Sequence, residues 1–415
     1  MSSDDAILFS NNLTYKLPTP TSVVSNRVRK RNYFQNRSYT QGQTMVCTLN
    51  TGADFIDLNN SSLVVKIKVT STNVNPFDCQ FVSGSALNVF ENMRAYHRSG
   101  TQLTNTQKLN MWRVKEDHNV KNENWFLTIG QSIGYLGTQG QITSTDPVFT
   151  AVIPLKCLHP LFDPENDVMM PASLASGMRV ELDLEGNIGQ VVKDNGVLNT
   201  DPPTAFEIED IYFDLMNITL MDSAQASLNT KAQKNALEYL YKDIFTSRSS
   251  TPSNSSTINI DVNKAVSYCD KVYGLITPNA LANDINADSF DTPYVAGSWW
   301  YSLGSNQYPS NQKIDSSKLA YNSNLLAFDK LKSRIGYGGE TNVTLGEFNS
   351  THGLYAVSLE RDTALQLSQL PVTSSRTLRF ELVLDNPLAS DSTTIIFMTY
   401  LTSCRVTLTS CRVDI

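Results

Sequence analysis

Apolar and polar residues alternate with a period of two through much of this chain. Leu63, Val65, Ile67 and Val69 fall on one face of a stretch whose other face carries Val64, Lys66 and Lys68. Successive side chains of an extended strand point to opposite faces, so the pattern predicts a strand with one side on a core. Met45, Cys47 and Leu49 mark a second such strand, and strand-sized runs follow around Leu87 to Tyr96 and Phe149 to Leu155. Thr51-Gly52, Arg98-Ser99-Gly100 and Asp194-Asn195-Gly196 are turn signals between them. Many short strands with few helices predict a β-sandwich over residues 42–222.

The same sequence of elements returns later in the chain. Met178-Arg179-Val180-Glu181-Leu182-Asp183-Leu184 resembles Leu378-Arg379-Phe380-Glu381-Leu382-Val383-Leu384, with Arg179 and Arg379 standing 200 residues apart. Each is preceded by an apolar segment, Val152 to Leu155 and Ala356 to Leu359. Each is followed by a turn-rich stretch and a strongly apolar strand, Phe206 to Leu220 and Thr394 to Leu401. Three matching elements in one order predict one fold used twice, with a second sandwich over residues 257–415.

Residues 223–256 read as the connection. Asp222 or Ser223 can cap a helix, and Ala224, Leu228, Ala232, Ala236 and Leu240 then recur every fourth position, joined by Leu237 and Tyr241. Ser247 to Ser256 reads as a polar loop. Residues 1–41 show no sustained period and read as an extended arm. Near the end, Leu401-Thr402-Ser403-Cys404-Arg405-Val406 returns as Leu408-Thr409-Ser410-Cys411-Arg412-Val413. The shift of seven is odd. One continuous strand would turn Cys404 and Cys411 to opposite faces, so a bulge or a change of direction is expected.

Composition agrees with strands and long polar loops. Charged residues make up 18% of the 415, and Ser, Thr and Asn fill the polar remainder. The net charge of −7 argues against the chain as a whole binding nucleic acid. Met1-Ser2-Ser3-Asp4-Asp5 is acidic and no apolar core follows, so no secretory signal is expected. No apolar run is long enough for a membrane span. Synthesis in the cytosol follows, with six cysteines in the reduced state.

Candidate chemistry is sparse. The six cysteines contain no CxxC pair, and Cys157 with His159 is too few ligands for a metal site. Gly130-Gln131-Ser132-Ile133-Gly134 matches GxSxG, and Trp125 to Ile129 could be the strand before it. A nucleophile elbow must enter a helix, whereas Gly137 and Gly140 follow here, so a glycine-rich turn is expected. Tyr337-Gly338-Gly339-Glu340 reads as a turn, and Asp163, Glu165 and Asp167 as solvated loop acids that lack an EF-hand pattern. No catalytic residue, cofactor, metal or small-molecule substrate is expected.

Two features read as interaction elements. Arg27, Arg29, Lys30, Arg31 and Arg37, interleaved with Tyr33 and Phe34, can track phosphates or anionic lipid headgroups, or pair with acidic groups of a neighbouring subunit. Trp299 and Trp300 can stack on sugars, or be buried in a loop or a subunit contact, and are candidates for the latter.

The stretch Gly52 to Leu63, with Asp54-Phe55-Ile56-Asp57-Leu58 at its heart, resembles a recurrent opening of double jelly-roll major capsid proteins. Ile153-Pro154-Leu155, Leu161-Phe162, Pro171, Leu174 and Met178 to Leu184 are similar to a later stretch of that family, and Glu207 to Tyr212 to the strand closing its first roll. The family includes the adenovirus hexon and tailless membrane-containing phage lineage, and the likeness is to versions in Polinton-like viruses and virophages. It covers residues 43–222 well and thins beyond. It implies an all-β fold of two tandem eight-stranded jelly-roll sandwiches with a short linking helix. It also implies homotrimers that tile an icosahedral shell around DNA, contacts with neighbouring capsomers and with penton or minor capsid proteins, and an arm facing an internal membrane or viral DNA. The competing reading is a β-sandwich carbohydrate-binding or adhesin protein.

Overall fold

The computed structural model describes residues 23–71, 77–135, 141–164, 169–194, 202–234, 236–293, 295, 297–308, 314–315, 344–359, 370–373, 376–407 and 410–414. Eight strands build the two main sheets of the first half: β1 (Val24–Tyr33), β2 (Thr44–Thr48), β3 (Phe55–Thr70), β4 (Phe90–Tyr96), β5 (Gln102–Thr106), β6 (Val148–Pro154), β7 (Arg179–Leu184) and β8 (Ala205–Leu220), with short strands at Asp78–Phe81, Gln141–Thr143 and Val192–Asp194 forming a small third sheet. The eight pair antiparallel in two sheets, β1-β8-β3-β6 and β2-β7-β4-β5. The chain crosses between the sheets in the order that defines a jelly roll.

The second half repeats the winding. Its strands are β9 (Leu237–Thr251), β10 (Thr257–Val262), β11 (Val266–Pro278), β12 (Gly297–Leu303), β13 (Asn306–Tyr308), β14 (Tyr355–Ser358), β15 (Leu378–Leu384) and β16 (Ser392–Val406). The sheets are β9-β16-β11-β14 and β10-β15-β12-β13, so every strand holds the place of the one eight earlier. Arg179 and Arg379 lie at equivalent positions of β7 and β15. Val180 faces Cys47 and Ala95, and Phe380 faces Ile260 and Tyr301. Inward Val180, Leu182 and Leu184 match inward Phe380, Leu382 and Leu384, all buried.

One sheet departs from alternation for a physical reason. In β16, Thr394 to Thr402 are all buried. Ile396, Met398 and Tyr400 enter the second roll's own core, while Ile395 and Phe397 join the core of the first roll. Tyr239, Tyr241, Ile244, Tyr273 and Leu275 do the same from β9 and β11. A sheet covered on both faces carries a continuous apolar run. The two rolls are therefore packed through the β9-β16-β11-β14 sheet into one block.

Three expected boundaries differ. Val24–Tyr33, assigned above to the arm of residues 1–41, is the first strand of the first roll, paired with β8 from Val24↔Leu220 to Tyr33↔Tyr212. The helix α2 spans Asp222–Lys234 and ends before Leu237. Leu240 and Tyr241 belong to β9, where Tyr239, Tyr241 and Asp243 alternate inward. Ser247 to Thr251 continues β9 against β16 rather than forming a loop. The C-terminal repeat resolves as a hairpin: β16 ends at Val406, and β17 (Cys411–Asp414) runs back along it, with Val406 opposite Cys411.

Candidate functional site

The GxSxG segment is helical up to Gly134, which ends the helix in the left-handed conformation. Asn122 caps a short helix at Glu123–Trp125 by accepting from the Trp125 amide at 3.0 Å, a wider turn follows over Phe126–Gly130, and Gln131–Ile133 is helical again. Trp125 to Ile129, which could have been the strand before a nucleophile, is helical, with Phe126 packed edge-on against Trp125 and Tyr135, and the glycine-rich turn expected at Gly130 to Gly134 is a helix that ends at Gly134. Ser132 donates its hydroxyl to the carbonyls of Ile129 and Val152, at 2.7 and 2.9 Å. Among the described residues its hydroxyl meets only these two carbonyls, so its geometry is that of a helix-to-strand tie. Asp163 pairs with Lys156 at 3.2 Å. Glu165, Asp167 and Tyr337 to Glu340 lie outside the described residues. Among the described residues, no group of three or more His, Cys, Asp or Glu could hold a metal ion.

Arg27, Arg29, Lys30 and Arg31 lie on β1, at the edge of its sheet, and Arg37 lies in the bend just after it. Arg27, Arg29, Lys30, Arg31 and Arg37 are all exposed. Arg29 meets Asp214 at 2.8 Å and Lys30 meets Asp54 at 2.8 Å. Arg31 lies 4.7 Å from the Tyr212 ring centre, and Arg37 lies 5.6 Å from that of Tyr33. The acidic and aromatic partners are on β8, at the end of β1 and on the approach to β3, so they come from the same chain. Charged side chains along an exposed strand also discourage edge-to-edge pairing.

Trp299 and Trp300 sit on β12 and are buried within the second roll. Trp299 is 0% exposed, its ring edge-on to Tyr355 at 5.5 Å, and Trp300 is 6% exposed. With no Trp299 surface left in the single chain, its ring serves the core rather than a sugar or another subunit.

The densest polar chemistry lies where the rolls meet, and residue spacing carried no sign of it. The helix α1 (Leu109–Val120), in the β5–β6 connection, is buried on nearly every side despite its charges. Arg113 holds Asp117 with two bonds of 3.1 and 2.6 Å. Glu116 receives Lys271 at 2.5 Å and the Tyr273 hydroxyl at 2.8 Å, both from β11. Burial would raise the Glu116 pKa, but Lys271 and Tyr273 outweigh it and hold the carboxyl below the usual range. Lys115 donates to the Thr351 carbonyl at 3.0 Å, and burial pulls its pKa down to about 8.

Three of the four histidines belong to this seam. His118 stacks on His352, which precedes β14 in the connection corresponding to that of α1. Burial lowers their pKa values to about 4 and about 2 respectively, with Lys115 and each other's proximity adding to the His352 shift. His159 is buried with Nε2 2.8 Å from the Thr106 hydroxyl, Nδ1 accepting from the Leu161 amide at 3.0 Å, and its pKa is lowered to about 3 by burial. Beside it, Asp243 of β9 accepts from Thr104 of β5, the Tyr400 hydroxyl and its neighbour's amide on Ile244. Tyr239 and Tyr241 donate to the carbonyls of Leu161 and Leu103, at 2.7 and 2.6 Å. This constellation can fix two domains rigidly.

No family model and no curated protein sequence matches the chain. Solved structures do match its fold over nearly the whole length. The PBCV-1 virus capsid quasi-atomic model aligns with a TM-score of 0.65 and 11% identity, covering 97% of this chain and 100% of that one. The Faustovirus major capsid protein gives 0.66 and 8%, covering 95% and 92%. The Sputnik virophage structure by cryo-EM gives 0.60 and 12%, covering 97% and 91%. The double jelly roll read from the sheet order is thus a fold this chain shares with viral capsid structures.

Proposed function

We propose that this chain is a major capsid protein whose trimers, six-lobed because each chain brings two rolls, tile an icosahedral shell around DNA. The observation that carries this reading is the end-to-end match of both rolls, in one chain, to structures of virus capsids. The physical design agrees with it. A shell tile must be stiff and must assemble, and the seam here locks two sandwiches through a doubly covered sheet and a buried polar helix. No enzyme activity is part of the proposal, and the virion is its place of residence. Penton or minor capsid proteins would be further partners.

The carbohydrate-binding alternative is disfavoured by the burial of Trp299 and Trp300. Within the capsid reading, the exposed cations Arg27, Arg29, Lys30, Arg31 and Arg37 would face inward, toward DNA or an anionic membrane. Since β1 is part of the roll, this role is tested by substitution rather than deletion. Arg27→Gln, Arg31→Gln and Arg37→Gln together should spare trimers and weaken retention on anionic vesicles or DNA at low salt.

The decisive experiment on the main reading is solution mass by light scattering with negative-stain imaging. Three chains per particle and a hexagonal outline are expected. A stable monomer across the accessible concentration range overturns the proposal. No helix among the described residues is long and apolar enough to cross a membrane.

A further inference from the structure

The odd-spaced repeat at the end of the chain places two thiols together. In the β16–β17 hairpin, Cys404 lies opposite Val413 and Cys411 opposite Val406, so the cysteines are diagonal neighbours on the same face. Both are buried, at 0% and 8% exposure, in the core that runs across the seam. Thr407 and Ser410 close the turn, the Ser410 amide donating to the Thr407 hydroxyl at 3.0 Å. Interaction between the two thiols lowers the Cys411 pKa and raises that of Cys404. The other four cysteines are buried elsewhere in the two rolls.

We propose that Cys404 and Cys411 form a reversible intrachain disulfide, closed by exchange with a small disulfide of the glutathione class. Cys411, the more exposed and more acidic thiol, attacks as thiolate and releases one glutathione thiolate, leaving a mixed disulfide. Cys404 then loses its proton, attacks the Cys411 sulfur and releases the second. Two protein thiols are oxidised, one small disulfide is reduced to two thiols, and the two protons go to the released thiolates. Diagonal neighbours in a ladder stand about 7–8 Å apart at Cα, slightly more than a disulfide accepts, so closure needs a small inward shift. The shift falls on β17, four residues long and, among the described residues, laddered with β16 alone. Strain of that kind makes a bond easier to reduce, so the pair stays open in a glutathione-buffered cytosol and closes in an oxidising medium.

The consequence reaches the seam. The Cys411 carbonyl accepts from Thr101 of the first roll at 3.1 Å, and Val413 packs on the first roll's core. A closed bond therefore fastens a strand of the second roll where it touches the first. The inference is independent of the capsid reading.

Trypsin cuts between the two thiols, which gives a direct test on the full chain. The folded protein is exposed to oxidised glutathione, denatured in acid, alkylated and digested without reduction. The expected product joins the peptide Phe380–Arg405 to Val406–Arg412, with loss of alkylation at Cys404 and Cys411 and retention at Cys47, Cys79, Cys157 and Cys269. Cys404→Ser should stop the reaction at glutathionylated Cys411. The proposal is overturned if the wild-type chain keeps both thiols, stops at glutathionylated Cys411, or joins Cys411 to another cysteine.

Discussion

The imidazole rings of His118, on the first roll, and His352, on the second, stack across the seam with centroids 4.6 Å apart and planes 17° from parallel. His118 Nε2 lies 3.2 Å from the Ser83 carbonyl, Phe126 and Tyr135 pack against its ring, and Lys115 stands 3.5 Å from His352 Nδ1. Two cations cannot stack beside a third without cost, so the neutral rings are the form this geometry stores.

Stability should therefore fall on acidification. Both histidines have folded pKa values lowered by burial, to about 4 and about 2, against about 6.5 when unfolded. Between those limits the unfolded chain binds more protons, so the stabilisation is full above about pH 6.5 and declines below it. Each histidine can contribute up to about 1.4 kcal/mol per pH unit within its window. Thermal midpoints recorded from pH 7.5 to pH 4.5 should drop, and His118→Phe with His352→Phe should flatten the slope. An unchanged slope in that double variant would place the acid sensitivity elsewhere.

Asp243 makes a second, sharper prediction. Its carboxylate gathers donors from three places: Thr104 of the first roll, Tyr400 of β16 and the amide of Ile244. Asp243→Ala leaves those donors buried with no acceptor, which costs about 3–5 kcal/mol for a broken buried polar network. Asp243→Asn keeps an acceptor oxygen and should lose less than half as much. Chemical denaturation midpoints at neutral pH would separate the two.

How much of this was legible depends on where each residue's partners come from. β7 and β15 were readable because each has one face on a core, which writes a clean alternation into Val180/Leu182/Leu184 and Phe380/Leu382/Leu384. β1 was not, because its residues from Ser25 to Arg31 are exposed on both faces and leave no apolar period. Leu237, Leu240 and Tyr241 satisfied a helical stripe by spacing, yet Tyr239, Tyr241 and Asp243 satisfy a strand, and β16 decides between them. The seam was invisible for a different reason. His118 meets His352, and Thr104 meets Asp243, only after two rolls have wound and docked, so no local window contains the pair. The two thiols stand in the sequence as a repeat, and only the hairpin turns the odd spacing into a shared face.

Gly297 offers the last prediction, and a comparison within one chain isolates its cause. It opens β12 opposite Leu384 of β15. A Cβ added there would collide with the Val383 carbonyl oxygen and stand 3.0 Å from the Leu384 Cα. Both are backbone atoms of the partner strand, so relief requires the β12–β15 ladder to spread. That ladder seats Trp299 opposite Leu382 and Tyr301 opposite Phe380, all in the second roll's core. Gly297→Ala should therefore destabilise by about 1–3 kcal/mol, in the range of overpacked interiors. Gly186 has nothing within 4 Å of the same added atom. Gly186→Ala should then stay within about 0.5 kcal/mol of wild type. Denaturation midpoints of the two variants, with near-ultraviolet circular dichroism reporting the Trp299 environment, test the contrast. Equal midpoints would mean that the second roll absorbs the methyl group by moving its edge, and that the β12–β15 spacing does not hold its core in register.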